Sequence, residues 1–310
     1  MHIAQSALSQ HVASLERELK TPLLIRSARG VAPTEAGKQL YRHAQLMLQQ
    51  AEHARASVQN CSSEPSGPVS FGLPLSLAVE FAFPVFESVW LQYPLVRLQL
   101  QEGVSGTILD WVKNGRLSLG VTFDHGNLDD LDALPVLEER LFLVVSPRSP
   151  LARRKIITLA EIEQIELLMP MPGQGVRPRI EQAMVREGLV LSRVIGEANS
   201  LTLLKQGAAA GVAPTILGWS CVAREVHQGV LATVEIVRPS VTRTAVICML
   251  PAGHNSQTAS KVRSCAAEAI RLAVARSKWR GVRSLPRPDE PTAVASTASG
   301  VPAPALTLSG

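Results

Sequence analysis

The 310-residue chain carries only four cysteines, Cys61, Cys221, Cys248 and Cys265. No two stand at the spacing of a zinc site or a redox pair, so they read as buried or idle thiols. No stretch approaches the ~18 apolar residues needed to cross a bilayer. The start, Met1-His2-Ile3-Ala4-Gln5, lacks both the charged opening and the apolar core of a secretory signal, so a cytoplasmic protein is expected. Catalytic signatures are missing as well. Gly173-Gln174-Gly175 lacks the rest of a dinucleotide fingerprint, and there is no phosphate-loop lysine motif, nucleophile elbow or His-x-x-x-His pair. The seven histidines, four of them in the first sixty residues, form no catalytic arrangement. An enzyme is therefore not expected, nor a metal or cofactor.

What is present describes a folded protein of two or more domains, with 46% hydrophobic and 18% charged residues. The net charge of +5 permits a polyanionic partner. Residues 1–60 hold seven basic residues (Arg17, Lys20, Arg26, Arg29, Lys38, Arg42, Arg55) against Glu16, Glu18, Glu35 and Glu52.

Ser6 or Ser9 can cap a helix running to about Leu19, with Leu8, Val12, Leu15 and Leu19 on one face expected to be buried. A short apolar run, Leu23-Leu24-Ile25, precedes the basic turn Arg26 to Pro33, and Thr34 then caps a long helix to about Gln59. Along that helix Leu40, Ala44, Met47, Ala51, Ala54 and Val58 recur at 4-3-4-3-4. This is a heptad seam and predicts a dimerising helix, against the alternative of a long core-facing one. Asn60 to Pro68 has the composition of a hinge.

Beyond the hinge, strands alternate with helices. The strands are expected at 69–73, 96–101, 117–121, 141–145, 165–169, 190–195, 212–213, 231–237 and 244–250, with helices at 75–91, 107–114, 176–187, 199–210 and 256–275. Near-continuous apolar strands linked by helices predict a largely parallel sheet covered on both faces. From about Gly281 the chain is rich in Pro, Ala, Ser and Thr and is expected to be disordered.

The run Ala4-Gln5-Ser6-Ala7-Leu8-Ser9-Gln10-His11-Val12, then Leu15-Glu16, Leu19, Leu23-Leu24-Ile25-Arg26, Arg29-Gly30-Val31 and Pro33-Thr34-Glu35-Ala36-Gly37, resembles the recognition helix, wing and linker-helix entry of LysR-type transcriptional regulators. Among their subfamilies it is most similar to the nitrogen-assimilation-control regulators. The resemblance implies a partial winged helix-turn-helix over residues 1–37, an all-α linker and dimerisation helix over 38–60 and a hinge over 61–68. An α/β, periplasmic-binding-protein-like effector domain follows over 69–276, with subdomain I at 69–145 and 248–276 and subdomain II at 146–247. Residues 277–310 form the tail. The likeness begins late, since the family's first helix and most of its second would precede Ile3. A truncated head is expected, from an internal start, a misplaced gene boundary or a degenerate protein. Ser6 stands where the family usually has proline, Lys20-Thr21-Pro22 replaces a glycine-led turn, and Ser118 takes the place of a common acidic residue.

By family position, Gln5, Ser6, Ser9 and Gln10 open the recognition helix, where amides match adenine edges and hydroxyls suit phosphates or bases. Arg26 and Arg29 lie in the wing to neutralise phosphate, and Thr34 presents a helix N-terminus, unless it serves only as a cap. In the effector half, ligands of such folds bind at strand ends and helix starts. That singles out Leu75, Ser76, Ser105, Thr107 and Thr122 from the first subdomain and Pro170, Met171, Asn199, Ser200 and Leu201 from the second. Several of these could instead be helix caps. No basic residue stands among them, although Arg177 could reach in. The resemblance implies double-stranded, partly palindromic promoter DNA as partner, a homodimer or homotetramer, a small-molecule effector and contact with RNA polymerase. The competing reading is a small-molecule-binding or oligomerising protein whose head no longer binds DNA.

Overall fold

In the computed structural model the described residues are 5–286, apart from 28–29, 60–63, 125, 127, 252 and 278; the side chains of Gln5 and of residues 49 and 52–59 also lie outside the description. Helix α1 (Gln5–Glu18) leads into a hairpin of β1 (Leu24–Ser27) and β2 (Gly30–Pro33), and then the 25-residue helix α2 (Glu35–Gln59). Two local devices fix this arrangement. The Glu16 carboxylate accepts from the backbone N–H of Leu23 and of Leu24 at 2.7 and 3.1 Å, tying α1 to the first strand of the hairpin. The Thr34 hydroxyl donates to the Pro22 carbonyl at 2.8 Å and accepts from the Gly37 N–H at 3.0 Å, which joins the start of α2 to the same turn. Gly37 is required there, because a Cβ would lie 2.1 Å from the Leu23 carbonyl oxygen.

The effector half begins with β3 (Gly67–Pro74), α3 (Leu75–Gln92), β4 (Val96–Gly103), α4 (Ser105–Lys113) and β5 (Leu119–Phe123). The 14-residue β6 (Asp132–Val145) follows. Then come the short β7 (Ile156–Ile157), α5 (Leu159–Glu163), β8 (Leu167–Pro170), α6 (Arg177–Arg186) and β9 (Val194–Ala198). The chain closes with α7 (Leu201–Ala210), β10 (Thr215–Gly218), α8 (Trp219–His227), β11 (Ala232–Ile236), β12 (Thr242–Met249), α9 (Gln257–Ser277) and β13 (Val282–Ser284).

The principal sheet runs β4-β3-β5-β12-β6-β11-β7, with β10 and β13 also paired to β6. It is parallel only across β4-β3-β5 and β11-β7, so the expected largely parallel sheet is mixed. The reason is β6 itself. Its first half pairs antiparallel with β12, and its last five residues pair antiparallel with β10 and β11, so one strand belongs to both subdomains. The crossings accordingly fall after Arg140 and through residues 237–241, earlier than the expected 146 and 248, because the chain changes subdomain inside a continuous strand. The strand expected at 212–213 forms instead at Thr215–Gly218. Helix α8 was not anticipated at all. The tail expected from 277 begins later too: α9 runs to Ser277, and β13 pairs with β6 at Leu137–Glu139. Residues 287–310 lie outside the described residues.

Each subdomain has its own apolar core. In the first, Phe71, Leu73, Phe81, Val85 and Val121 pack under α3 and α9. In the second, Leu143, Ile162, Met169, Ile180 and Ile216 do so. A smaller cluster of Phe142, Trp219 and Ala223 sits where the halves meet, with Trp279 and Val282 against it.

Candidate nucleic-acid interface and effector cleft

Ser6, Ser9 and Gln10 lie exposed along the first turns of α1, and Arg26 is exposed on the hairpin. The side chain of Gln5 and all of Arg29 fall outside the described residues. Thr34 is half-buried and spends its hydroxyl on Pro22 and Gly37, so it is a cap in this geometry and offers phosphate only backbone donors. The apolar face of α1 departs from expectation. Leu8, Leu15 and Leu19 are exposed, by 56%, 42% and 47%, because no described element packs on them. Leu15 borders an open cleft of about 780 Å³ that is also walled by Val12, Leu24, Leu40 and Ala44. Among the described residues of the head, Leu23 alone is a buried apolar side chain. On α2, Met47 and Ala51 are exposed while Leu40 and Ala44 are half-buried against the hairpin side; the side chains of Ala54 and Val58 are not described. The N-terminal half of the heptad stripe is thus partly used within the chain and partly open.

Between the two subdomains lies a second cavity, of about 80 Å³. Leu75, Ser76, Ser105, Pro170, Asn199 and Leu201 line it, six of the ten residues singled out from the sequence. The other four do not. Thr107 is exposed on the outer side of α4, and Met171 is 40% exposed beyond the end of β8. Thr122 is buried, with its hydroxyl turned to the Ser105 carbonyl at 3.4 Å. Ser200 caps α7 by accepting from the Leu203 N–H at 3.3 Å. Arg177 does not reach in either: Glu181, Glu197 and the Pro170 carbonyl hold its guanidinium at 2.6, 2.7 and 3.1 Å.

The basic group of the cleft is Arg243, from the start of β12, which sequence reading missed. Its guanidinium stacks 3.6 Å from the Phe123 ring centroid and is almost wholly buried. Nε donates to a Glu139 carboxylate oxygen at 2.6 Å, Nη2 pairs with that same oxygen, and Nη2 also reaches Ser76 Oγ at 3.5 Å. The other Glu139 oxygen accepts from Ser220 N–H and Oγ–H at 3.3 and 2.8 Å, at the start of α8. A chain of polar contacts therefore runs from Ser76 in the first subdomain through Arg243 and Glu139 to Ser220 in the second. Gly218 leaves room for it, since a Cβ there would lie 2.4 Å from the carboxylate. Cys221 lines the same cavity, and burial pushes its thiol up from the usual range. Ser118 bonds with Ser70 (Oγ to Oγ 3.2 Å), bracing β3 against the start of β5 away from the cleft.

This architecture, a helix and wing on a long helix followed by two α/β lobes about a cleft, agrees with two family models. The LysR substrate binding domain matches residues 62–271, and the bacterial regulatory helix-turn-helix of the lysR family matches residues 1–38. The chain belongs to the LysR family. It is a LysR-type DNA-binding transcriptional regulator with an effector domain. It is 36% identical over 218 residues, 70% of each chain, to the nitrogen assimilation regulatory protein nac of Klebsiella aerogenes. It is also 27% identical over 278 residues, 90% of this chain and 85% of the relative, to the regulator BbuR of Bordetella bronchiseptica. In fold it resembles full-length OxyR of Pseudomonas aeruginosa, with a TM-score of 0.67 over 87% of each chain at 21% identity. No helix among the described residues is long and apolar enough to cross a membrane.

Proposed function

We propose that this LysR regulator acts as a nitrogen-assimilation-control type protein. It reads a partly palindromic promoter site as a homodimer or homotetramer, and a small molecule in the cleft adjusts the placement of its heads. The observation that carries the subfamily is the 36% identity to the Klebsiella nac protein over 70% of both chains, which takes in most of the effector half's length. DNA reading is assigned to the exposed Ser6, Ser9 and Gln10 of α1 and to Arg26 and Arg29 of the hairpin. Symmetric heads ask for symmetric half-sites. The chain works by binding, with no catalytic step, and RNA polymerase is the partner to which a promoter-bound regulator would present itself.

Two open apolar surfaces support assembly. One is Met47 on α2, 63% exposed within the heptad stripe. The other is the outer face of α3, where Val79, Phe83, Phe86 and Trp90 recur at helical spacing and are 44–69% exposed. Apolar rows of this size on a soluble chain mark contact surfaces. The cleft supports effector control because its walls come from both lobes, so a ligand there favours one relative placement of the lobes.

Selection from random duplexes tests the reading. A pool enriched by the full chain should converge on a site with two inverted half-sites about one or more helical turns apart. A pool that stays random, or converges on a single asymmetric half-site, would contradict it.

A further inference from the structure

We infer that residues 279–285 form a releasable clamp, which holds the two lobes in one relative placement by gripping β6 where it passes between them. The inference goes beyond the effector reading and does not rest on it, since none of these residues lines the cleft. From Gly281 onward the composition reads as tail, yet the fold ties this stretch to both lobes. On the first lobe, Trp279 sets its ring edge-on to Phe81 of α3, with centroids 5.3 Å apart. Val282–Ser284 pair antiparallel with Leu137–Glu139 in the first half of β6. The Arg140 N–H donates to the Gly281 carbonyl at 2.8 Å, and the Leu285 N–H donates to the Val136 carbonyl at 2.9 Å. Arg271 of α9 fixes the far end, its Nε donating to the Leu285 carbonyl at 3.0 Å.

The remaining contacts reach the second lobe. Trp279 and Val282 close over the cluster of Phe142, Trp219 and Ala223. The Arg280 guanidinium lies 5.6 Å from the Phe142 ring centroid and 3.4 Å from the carboxylate of Glu235 in β11. Glu235 also accepts from Arg140 at 2.5 Å. One short segment therefore touches both lobes on either side of Arg140–Leu141, where β6 changes lobe. The backbone passes between the lobes only there and through residues 237–241. Two such connections make a hinge, in which a few residues absorb the turn of one lobe against the other. A third tie, laid across the first connection, selects one placement among those the hinge allows.

The tie is built to come loose before the lobes do. Its ladder is short, and its ion pairs, Arg280 to Glu235 and Arg283 to Glu138 at 3.0 Å, hold exposed arginines. Exposed pairs of this kind contribute little each and weaken with salt. Segments with few buried contacts open locally, well below the cost of unfolding the cores. Gly281 is the point on which the grip depends. Its φ is +69°, a conformation that disfavours any other residue, and a Cβ there would lie 3.0 Å from Phe142 Cζ and 3.1 Å from Arg140 Cβ.

The test is hydrogen exchange on the full chain, comparing peptides over residues 137–145 and 232–243 with core peptides from β3 and β8. Gly281→Val strains the clamp without shortening the chain, and should speed exchange in the hinge peptides about tenfold or more while the core peptides stay unchanged. Arg280→Gln with Arg283→Gln removes only charge and should speed the hinge about three- to tenfold. In the parent, hinge exchange should quicken as salt rises from about 0.05 M to about 1 M, and the charge variant should lose most of that response. Lobe placement is read by spin labels on Asp110→Cys and Arg186→Cys, both exposed positions, in a Cys61→Ser chain diluted with unlabelled protein. Their distance distribution should be narrow in the parent and broaden with Gly281→Val. Hinge exchange unmoved by Gly281→Val, or an unchanged distance distribution, overturns the inference. Acceleration shared equally by β3 and β8 overturns it too, by making the segment part of the common core. Salt-independent hinge exchange in the parent would contradict a clamp held by charge.

Discussion

Removing either member of the buried Arg243–Glu139 pair should cost a large part of the protein's stability, and removing both should not. The pair lies in the floor of the cleft with the side chains 1% and 0% exposed, so neither charge has water to fall back on. Arg243→Met keeps an apolar stem against Phe123 but leaves the Glu139 carboxylate with only the two Ser220 donors. Glu139→Leu leaves a guanidinium with only Phe123, a long contact to Ser76 and a weak one to Cys221. A charge stranded in this way typically costs ~3–5 kcal/mol. Against a domain stability of about 5–15 kcal/mol, each single variant should lose about a fifth or more of the total. The double variant exchanges a desolvated ion pair for apolar volume and should fall within about 1 kcal/mol of wild type, a coupling of several kcal/mol. Guanidinium denaturation at pH 7, followed by Trp219 and Trp279 fluorescence and far-UV circular dichroism, gives all four corners of the cycle. Single losses below about 1 kcal/mol, or a double loss equal to their sum, would refute the reasoning.

Other expectations concern separate parts of the chain. Gly37→Ala puts a methyl 2.1 Å from the Leu23 carbonyl and should unfold the head, abolishing DNA binding while the effector half keeps its melting transition. Met47→Glu places like charges in the α2 stripe and should lower the mass seen by light scattering; an unchanged mass would argue against that stripe as an assembling surface. Glu161 is held down to about 2 by the Thr158 N–H, Arg154 and the Thr158 hydroxyl. Because its folded value is depressed, its contribution is complete above about 4.5 and drains away as the pH falls toward 2. Glu161→Gln should therefore flatten the acid limb of a denaturation series, and identical limbs would remove Glu161 from the account. Burial raises the thiols of Cys221, Cys248 (to about 12) and Cys265. All three should resist a disulfide-exchange reagent at pH 8 until the protein is unfolded; rapid labelling of any of them in the native protein would contradict their burial.

Much of this organisation is legible in the sequence because it rests on local patterns. Ser200 with Gly211 brackets α7, and Pro74 directly before Leu75 marks the turn from β3 into α3. What escapes reading is built from distant partners. Arg243 sits in an apolar strand, where alternation suggests a solvent-facing position, and its partner Glu139 lies 104 residues earlier. The early crossing after Arg140 escapes for a related reason: the apolar run Leu141–Val145 looks like a whole strand but is only the second half of β6. Helix α8 is masked by the apolar stretch of β10 leading into it, with no capping side chain to mark the change at Gly218. The exposed apolar face of α1 shows the opposite failure. Periodicity says which face wants cover, and cannot say whether the cover is supplied within the described residues.

The account's central claim is that this chain grips DNA through α1 and the hairpin. The most direct test is fluorescence anisotropy of a labelled duplex titrated with the full chain across a salt series. The account predicts saturable binding whose log K falls linearly with log salt. Arg26→Ala should lower affinity and make the slope shallower by about one, and Gln10→Ala should weaken selected sites more than random DNA. Absence of binding at low salt, or binding indifferent to both salt and Arg26, would contradict it.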